Sequence, residues 1–257
     1  MIAEPARREA IAFRSINVHG REMLLSEHFA HLLAPELVSS LLDKDFSSTA
    51  EFSESRGACS RVVVDQGTPF IARKYRRGGW LRFVQRYNFL RLPWHSLERT
   101  RPFAELRALS LLQTARVQVP QPVAALVESK LGVFYRGMIL TEEIREATNL
   151  LTYAREMERG SSSTEILTQL CYRTGIEAKK MLSAGVMHRD LHLGNVLFSR
   201  NLQVTLIDFD KCGYVNRAEL ERAKAALVRR WTKSARKHGF QTLVVAPFYA
   251  GLSEHTV

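Results

Sequence analysis

Three oxygen-bearing side chains at fixed spacing carry the clearest chemistry in the sequence. Asp190 stands in HRDLHLGN, Asn195 follows it by five residues, and Asp208 lies in the later run LIDFD. Phosphoryl transfer needs a carboxylate at the attacking hydroxyl and hard oxygen ligands for a Mg²⁺ ion on the nucleotide phosphates. The pattern therefore predicts that Asp190 orients the hydroxyl and accepts its proton, while Asn195 and Asp208 bind Mg²⁺.

Short secondary-structure elements around the motif must hold these side chains in place. Apolar residues recur at helical spacing over 165–184, which predicts an amphipathic helix before the motif. Strand-like runs at 195–198 and 204–208 bracket a turn, so that one metal ligand begins a strand and the other ends the next. A basic amphipathic helix is predicted from about 217 to 237. The second half of the chain is therefore predicted to be mostly helical.

The first half of the chain is mostly β-like. Residues 61–64 (RVVV) and 70–75 (FIARKY) flank a turn that contains Gly and Pro, as expected for a hairpin. One helix is predicted over 98–112, where Phe and Leu residues form an apolar stripe. Strand-like pieces follow at 123–127 and 133–140. These elements predict a small β-rich lobe with one helix.

Together, the two halves predict an α+β fold of two lobes joined by a short linker near residues 141–145. Residues 1–45 are predicted to form an N-terminal extension that is mostly helical. Residues 46–143 are predicted to form the small β-rich N-lobe. Residues 144–257 are predicted to form the mostly α-helical C-lobe, which ends in the basic helix.

The general composition excludes two classes of protein. Hydrophobic residues make up 46% of the chain, which rules out wholesale disorder. The longest uncharged apolar stretch, 242–253, is too short for a transmembrane helix. The cysteines Cys59, Cys171 and Cys212 are few and far apart, which fits buried thiols in a reducing compartment better than a metal site.

The chemical motif resembles that of the protein-kinase-like superfamily. DFD stands where eukaryotic protein kinases carry DFG, no APE triplet follows, and His192 occupies a position where Ser/Thr kinases usually have Lys. These differences are typical of the small-molecule branch of the superfamily, which phosphorylates sugars, aminoglycosides and choline. The resemblance implies a bilobal protein-kinase-like fold.

Four upstream blocks narrow the resemblance to one family. YRRGG (75–79), LERTRPFAE (97–105), VPQPVAA (119–125) and FYRG (134–137) are similar to 3-deoxy-D-manno-octulosonic acid (Kdo) kinase, and the similarity extends over residues 52–215. It implies an ATP- and Mg²⁺-dependent enzyme of lipopolysaccharide inner-core biosynthesis in Gram-negative bacteria. Such an enzyme phosphorylates the 4-hydroxyl of Kdo in Kdo-lipid A precursor. It is a peripheral protein at the cytoplasmic face of the inner membrane.

Two alternatives stay open at this point. The same chemistry could serve another acceptor, such as a heptose of the lipopolysaccharide core or a different small molecule. The other alternative is a nucleotide-binding pseudokinase scaffold, because the Gly-rich loop is reduced to Gly57 and two residues compete for the place of the strand lysine. Since Asp190, Asn195 and Asp208 are all intact, a working kinase is the favoured interpretation.

Nucleotide-binding residues are predicted in the N-lobe from their positions. The backbone around Gly57, Ala58 and Ser60 lies where a phosphate-covering loop would join the first two strands. Strand alternation places Ala72 and Lys74 on one face, which matches the kinase pattern A-x-K, in which the alanine backs the adenine. This pattern favours Lys74 as the residue that contacts the phosphates.

A neighbouring residue competes with Lys74. The resemblance to Kdo kinase aligns its pattern LRHY with residues 72–75 and favours Arg73 as the phosphate ligand. The chemical argument gives a slight preference to Lys74. The acidic partner on the following helix is predicted to be Glu105 in FAEL, with Glu98 as the second choice.

Further roles are predicted from position. The backbone of TEEI, which includes Glu142 and Ile144, follows a strand and precedes the change of lobe, so it resembles the hinge that binds the adenine edge. His188 and Arg189 are predicted to brace the catalytic loop rather than to react. His192 is predicted either to assist substrate binding or to have a structural role.

An excess of positive charge points to partners that carry phosphate. Lys and Arg number 37 against 26 Asp and Glu, which gives a formal net charge of +11. Seven basic and five aromatic residues are interleaved over 73–91 without an acid, and a second basic cluster lies at 217–237. Such segments fit single-stranded nucleic acid or anionic lipid. Because the resemblance implies a Kdo-lipid acceptor, we expect the basic segments to bind the anionic inner-membrane surface and not nucleic acid. The alternative is that these basic residues only keep the protein soluble.

Overall fold

The computed structural model describes residues 11–44, 59–64, 67–75, 97–130, 134–160 and 163–254. Within these residues the chain forms two compact units. The first, called the β-unit, contains the described residues of 11–110 together with Gln121–Glu143. The second, called the helical unit, contains Leu111–Pro120 and the described residues of 144–254. The predicted lobe boundaries stay a prediction.

The β-unit is built on one sheet. Its strands are β1 (Phe13–Val18), β2 (Arg21–Ser26), β3 (Cys59–Val63), β4 (Pro69–Lys74), β5 (Pro122–Lys130) and β6 (Phe134–Glu142). They are antiparallel and lie in the order β1-β2-β5-β6-β4-β3. Helix α1 (Pro35–Leu41) contributes Val38 and Leu41 to a core that covers one face of the sheet, where Phe70 and Leu140 are fully buried. Helix α2 (Arg101–Thr114) begins in this unit.

The N-terminal segment corrects the sequence interpretation. Residues 13–26 form a β-hairpin, and its turn has two residues with positive φ, His19 (φ 52°) and Gly20 (φ 78°). Burial alternates along β2, which pairs with β5. The prediction of a mostly helical extension over residues 1–45 is therefore wrong for this hairpin, because pairing with the sheet overrides a helix-compatible run of apolar residues. Helix α1 starts only at Pro35, a residue suited to the first helical turn.

Helices dominate the described residues of the helical unit. They are α3 (Leu150–Glu158), α4 (Thr164–Ser183), α5 (Leu220–Lys237) and α6 (Gln241–Ser253). Short strands lie between them: β7 (Thr148–Asn149), β8 (Val186–His188), β9 (Val196–Phe198), β10 (Val204–Leu206) and β11 (Cys212–Tyr214). The strands pair in two small sheets, β10-β9-β7 and β11-β8. The catalytic motif lies on these strands and on the turns between them.

The long helices begin at sequence signals that are visible in the chain. Ser163 caps α4 by accepting a hydrogen bond from the Ile166 backbone N–H at 3.4 Å. Asn216 and Glu219 form a reciprocal capping box one turn before α5. In the part of the chain that the structure describes, no helix combines the length and the apolar character needed to cross a bilayer.

Helices α4 and α6 approach each other closely at two glycines. A Cβ atom on Gly175 would overlap the Phe248 carbonyl oxygen and lie 2.7 Å from the Leu252 backbone nitrogen. A Cβ atom on Gly251 would overlap the Tyr172 carbonyl oxygen. Both obstacles are backbone atoms, so only a separation of the helices can relieve them.

Alanine at Gly251 is therefore expected to destabilise the helical unit. Although alanine favours helix, the forced separation of α4 and α6 should lower the free energy of unfolding by about 2–3 kcal/mol. Thermal and urea unfolding of Gly251→Ala measure the loss. Tyr249→Ala is the matched control, because Tyr249 lies on the same helix and is 57% exposed. Equal stability of the glycine variant and the control would contradict the close packing.

Candidate active site

Residues 189–195, called the catalytic loop, follow β8. His188, the last residue of β8, connects this loop to Ile207, which directly follows β10. Its ring is fully buried, and Nδ1 accepts a hydrogen bond from the Asp190 backbone N–H at 3.1 Å. Nε2 must then carry the proton, which it donates to the Ile207 carbonyl oxygen at 2.9 Å. Burial lowers the pKa of His188, so the ring is a neutral brace. Arg189 lies against Gly213 of β11, where an added Cβ would fall 2.7 Å from its guanidinium.

The side chain of Asn195 is oriented by the same loop. Its Nδ2 donates to the Asp190 backbone carbonyl oxygen at 3.0 Å, and the backbone carbonyl oxygen of Asn195 accepts from the Ile207 backbone N–H at 3.0 Å. The residue is buried, at 7% exposure. Because the amide nitrogen is used inside the loop, the amide oxygen is the atom that Asn195 would offer to a cation.

Asp208 has the left-handed backbone conformation, with φ 64° and ψ 62°. This conformation is uncommon for a residue other than glycine and is often found at functional sites. Asp208 directly follows Ile207, whose backbone bonds to His188 and to Asn195, so Asp208 lies beside the loop that carries Asp190.

A Mg²⁺ ion fits the donors that this neighbourhood contains. Asn195 offers an amide oxygen and Asp208 offers a carboxylate, both of which are hard ligands. Among the described residues, no group of three or more His, Cys, Asp or Glu side chains could hold a metal ion. An ion held by these two residues would take its other ligands from nucleotide phosphates and water, as Mg²⁺ usually does.

The carboxylate of Asp190 is held by two cations that the sequence interpretation did not connect with it. Arg230 contacts Oδ1 through Nε at 2.8 Å and through Nη2 at 2.7 Å, and Lys211 Nζ contacts Oδ2 at 3.2 Å. Burial raises the pKa of Asp190, but the hydrogen bonds from Arg230 and then Lys211 outweigh this effect and hold the pKa below its usual value. Asp190 is therefore ionised near neutral pH, as an acceptor for a hydroxyl proton must be.

Arg230 also corrects the interpretation of the basic helix. Buried Leu227 and Trp231 confirm that the apolar face of α5 packs inward. The expectation that the basic face stays in solvent is wrong for Arg230, whose side chain is 31% exposed and paired with Asp190. No signal in the sequence links two residues that are 40 positions apart. Lys211 lies only three residues after Asp208, so the sequence could have indicated that Lys211 is close to the motif.

His192 has a structural contact within the loop. Its Nδ1 accepts a hydrogen bond from the Gly194 backbone N–H at 3.0 Å and thereby caps the helical turn at 193–195. Burial, followed by the positive charge of Arg230, lowers the pKa of His192 to about 4. The ring is therefore neutral at physiological pH, and the contact favours the structural role over the substrate-binding role.

In the β-unit, Glu105 pairs with Arg73 and not with Lys74. Glu105 is 3% exposed and accepts hydrogen bonds from the Arg73 guanidinium and from the Tyr75 hydroxyl. The Arg73 guanidinium also lies over the Tyr75 ring, 4.9 Å from its centre. Lys74 Nζ instead donates to the Lys44 carbonyl oxygen. Of the two candidates that the sequence leaves open, Arg73 is therefore the one paired with Glu105, and which of the two contacts the phosphates stays a prediction.

The faces of β4 explain this choice. Phe70 and Ala72 are fully buried in the core beneath α1, on the face that Lys74 shares. Arg73 lies on the other face, together with Ile71. Ala72 therefore cannot back the adenine of a nucleotide whose phosphates contact Arg73. On the face of Arg73, Ile71 is the residue two positions before the basic residue, as alanine is in A-x-K, and the sequence analysis did not consider it because the alternation was counted from Lys74.

The predicted phosphate-covering loop is only partly described. Gly57 and Ala58, like the basic and aromatic residues at 76–91, lie outside the described residues. Ser60 is opposite Ala72 in the β3–β4 pairing, and its side chain is 8% exposed. Any contact from Ser60 to a phosphate would therefore come from its backbone.

The predicted hinge follows directly on β6. The Glu142 backbone N–H donates to the Gln121 carbonyl oxygen at 3.0 Å, and the Glu143 N–H donates to the Pro69 carbonyl oxygen at 3.0 Å. These donors belong to the sheet. Because the N–H groups of Glu142 and Glu143 are already used, the Ile144 N–H is a better candidate than either of them to donate a hydrogen bond to an adenine.

Comparison with known proteins gives concordant results. Residues 44–249 match the family described as "Lipopolysaccharide kinase (Kdo/WaaP) family". A 3-deoxy-D-manno-octulosonic acid kinase of Vibrio vulnificus is 36% identical over 140 residues, which is 54% of this chain and only 55% of the relative. A 3-deoxy-D-manno-octulosonic acid kinase of Photobacterium damsela subsp. piscicida is 32% identical over 217 residues, which is 80% of this chain and 85% of the relative.

A solved structure has the same fold. The structure titled "WaaP in complex with acyl carrier protein" superposes with a TM-score of 0.57, covers 91% of this chain and 89% of its own, and is 15% identical. This likeness, with strands in the first part of the chain and helices in the second, confirms the predicted α+β, protein-kinase-like fold class.

Proposed function

The chain belongs to the lipopolysaccharide kinase (Kdo/WaaP) family, and from this premise we propose that it is an ATP-dependent kinase that phosphorylates Kdo in Kdo-lipid A precursor, at the 4-hydroxyl. The observation that carries the proposed chemistry is the catalytic loop. Within it, His188 and Asn195 both bond to the backbone of Asp190, next to Asp208. The choice of Kdo as acceptor rests on the names of the relatives.

In this proposal Asp190 receives the acceptor hydroxyl and takes its proton during transfer. Asn195 and Asp208 would hold Mg²⁺, which would neutralise charge on the nucleotide phosphates. In the β-unit, Arg73 contacts the phosphates and is itself oriented by Glu105. Catalysis is then mostly positioning and electrostatic stabilisation.

The remaining nucleotide contacts are proposed from position. The backbone around Gly57 and Ala58 covers the phosphates. Ile71 lies against the adenine, in the place first assigned to Ala72, and the backbone of Ile144 donates to the adenine edge. These assignments predict an apolar adenine site with few side-chain hydrogen bonds.

The proposed activity is tested by mass spectrometry of Kdo-lipid A after incubation with the protein, ATP and Mg²⁺. One added phosphate on the Kdo sugar is expected, and fragmentation locates the hydroxyl. A panel of acceptors with labelled ATP separates Kdo from heptose or another small molecule. ATP binding without transfer to any acceptor would instead indicate the pseudokinase scaffold.

We further propose that the chain docks on an anionic lipid surface at the cytoplasmic face of the inner membrane. Exposed cations of α5 support this: Arg229, Lys233, Arg236 and Lys237. Anionic lipid attracts such clusters until salt screens the charge. In co-sedimentation, we expect binding to phosphatidylglycerol vesicles that weakens with salt, and little binding to neutral phosphatidylcholine vesicles. Binding that ignores both lipid charge and salt would refute the docking.

A further inference from the structure

The two oxygens of the Asp190 carboxylate have different partners. Oδ1 is contacted by two nitrogens of one guanidinium, Arg230 Nε at 2.8 Å and Nη2 at 2.7 Å. The Nε contact is a charge-assisted hydrogen bond and the Nη2 contact is an ion pair, so one planar group holds Oδ1 through two of its nitrogens. Arg230 therefore fixes the place of Oδ1, and because His188 and Asn195 hold the Asp190 backbone, a fixed Oδ1 also sets the direction of Oδ2.

Oδ2 has a weaker and more exchangeable partner. Lys211 Nζ lies 3.2 Å from Oδ2, and the lysine side chain is 58% exposed, against 31% for Arg230. A single, longer contact from a flexible ammonium group exchanges more readily with another donor. A hydroxyl group can take the place of this ammonium at Oδ2 without disturbing Oδ1.

Arg230 is itself held by its neighbour on α5. Trp231 is fully buried, and its indole N–H donates to the Val244 carbonyl oxygen at 3.0 Å. Its ring also stacks on Phe248 at 4.4 Å between centres. Arg230 directly precedes this anchor in the same helix and so has little freedom along the helix axis, which means that α5 supplies Arg230 at a fixed place.

We propose that Arg230 is the positioning residue of Asp190, that Oδ2 is the oxygen that receives the acceptor hydroxyl, and that Lys211 moves from Oδ2 to the transferring phosphoryl group. This inference rests on the proposed kinase function. It gives a catalytic task to a cation of the basic helix and adds Lys211 to the residues that contact substrate.

The transfer step follows from this arrangement. The acceptor oxygen forms a bond to the γ-phosphorus of ATP, the bond from that phosphorus to the bridging oxygen breaks, and ADP leaves with the electron pair. The hydroxyl proton passes to Asp190 Oδ2. The attacking oxygen lies within hydrogen-bond distance of Oδ2 and about 3–3.5 Å from phosphorus before reaction. An ammonium displaced from Oδ2 is therefore within reach of the equatorial phosphoryl oxygens and stabilises their charge.

The inference is tested with Arg230→Met, Arg230→Lys and Lys211→Met in the full chain. Arg230→Met should lower kcat by about 10- to 100-fold through misplacement of Asp190, with the KM for ATP nearly unchanged. Arg230→Lys should recover part of the loss, because it keeps one charged donor to Oδ1. Lys211→Met should lower kcat by about tenfold or more through the lost phosphoryl contact.

Arg200→Met is the matched control, since it removes an arginine that pairs with Glu146 at 3.2 Å and is 84% exposed in the same unit. Its kcat should equal that of the wild type. An unchanged kcat in Arg230→Met or in Lys211→Met, at unchanged melting temperature, overturns the assignment of that residue. A kcat for Arg230→Lys that is no higher than that of Arg230→Met also overturns the positioning role of Arg230.

The same variants are also measured in the slow hydrolysis of ATP by water. This readout needs no sugar acceptor, so it separates the present inference from the proposed substrate. A wild-type protein that hydrolyses ATP but leaves Kdo-lipid A unmodified overturns the proposed acceptor, while the order of the variants in hydrolysis still decides the roles of Arg230 and Lys211. A wild-type protein that does neither overturns both.

Discussion

Asp190→Asn is expected to lose phosphoryl transfer by about 10²- to 10⁴-fold, the contribution usually made by a general base. The amide keeps the shape of the side chain but cannot accept a proton. ATP affinity should change little, because Asp190 is proposed to contact the acceptor rather than the nucleotide. Labelled ATP with Kdo-lipid A measures transfer, and calorimetric titration with ATP measures affinity.

Two measurements separate this loss from a loss of structure. Glu221→Gln is the matched acid-to-amide control, because Glu221 is 82% exposed and pairs with Lys224 of the same helix at 2.7 Å. The melting temperature of Asp190→Asn should stay close to that of the control, since Asp190 is 29% exposed and its backbone contacts to His188 and Asn195 remain. Near-wild-type turnover in Asp190→Asn would remove Asp190 from the proposed mechanism.

The residues of the chemical motif could be predicted because their geometry is local. His188, Asp190, Asn195 and Asp208 lie within 21 consecutive positions. Two short strands and a turn bring them together, and each of these elements has a clear pattern in the sequence. Spacing then determines position, so Asp190 and the two proposed metal ligands, Asn195 and Asp208, could be named without coordinates.

Partners from distant segments could not be predicted in this way. Arg230 reaches Asp190 because α5 is fixed by Trp231 against α6, and such packing is not encoded in the spacing around either residue. A basic amphipathic helix has the same pattern whether its cations face solvent, lipid or a carboxylate. The sequence therefore predicted the helix correctly but not the contact between Arg230 and Asp190.

The pairing of Glu105 with Arg73 rather than with Lys74 could not be predicted for a related reason. Alternation correctly separates the two faces of β4, but it does not say which face meets the acidic residue of α2. The N-terminal segment settles this, because residues 29–42 pack over Phe70 and Ala72 and leave the other face to Glu105. Since that segment was interpreted as a separate helical extension, its cover of the sheet could not be foreseen.

Arg73→Met is expected to reduce ATP-dependent transfer by about 10²- to 10³-fold, whereas Lys74→Met should stay within a few-fold of the wild type. The methionine cannot contact the phosphates, and it also leaves the buried Glu105 carboxylate without its guanidinium partner. Lys74 lies on the opposite face of β4, so its removal leaves this pair intact. Steady-state kinetics over a range of ATP concentrations measure both variants.

Arg73→Lys and Glu105→Gln complete the comparison. The lysine keeps a positive charge beside Glu105, so Arg73→Lys should recover part of the activity. If Arg73 served only to pack on Tyr75, Arg73→Lys would recover little activity, because lysine lacks the planar guanidinium that stacks on the Tyr75 ring. Glu105→Gln should lower kcat less than Arg73→Met, since the arginine and its charge remain. The opposite ranking, with Lys74→Met inactive and Arg73→Met active, would restore the A-x-K interpretation and place the nucleotide on the other face of β4.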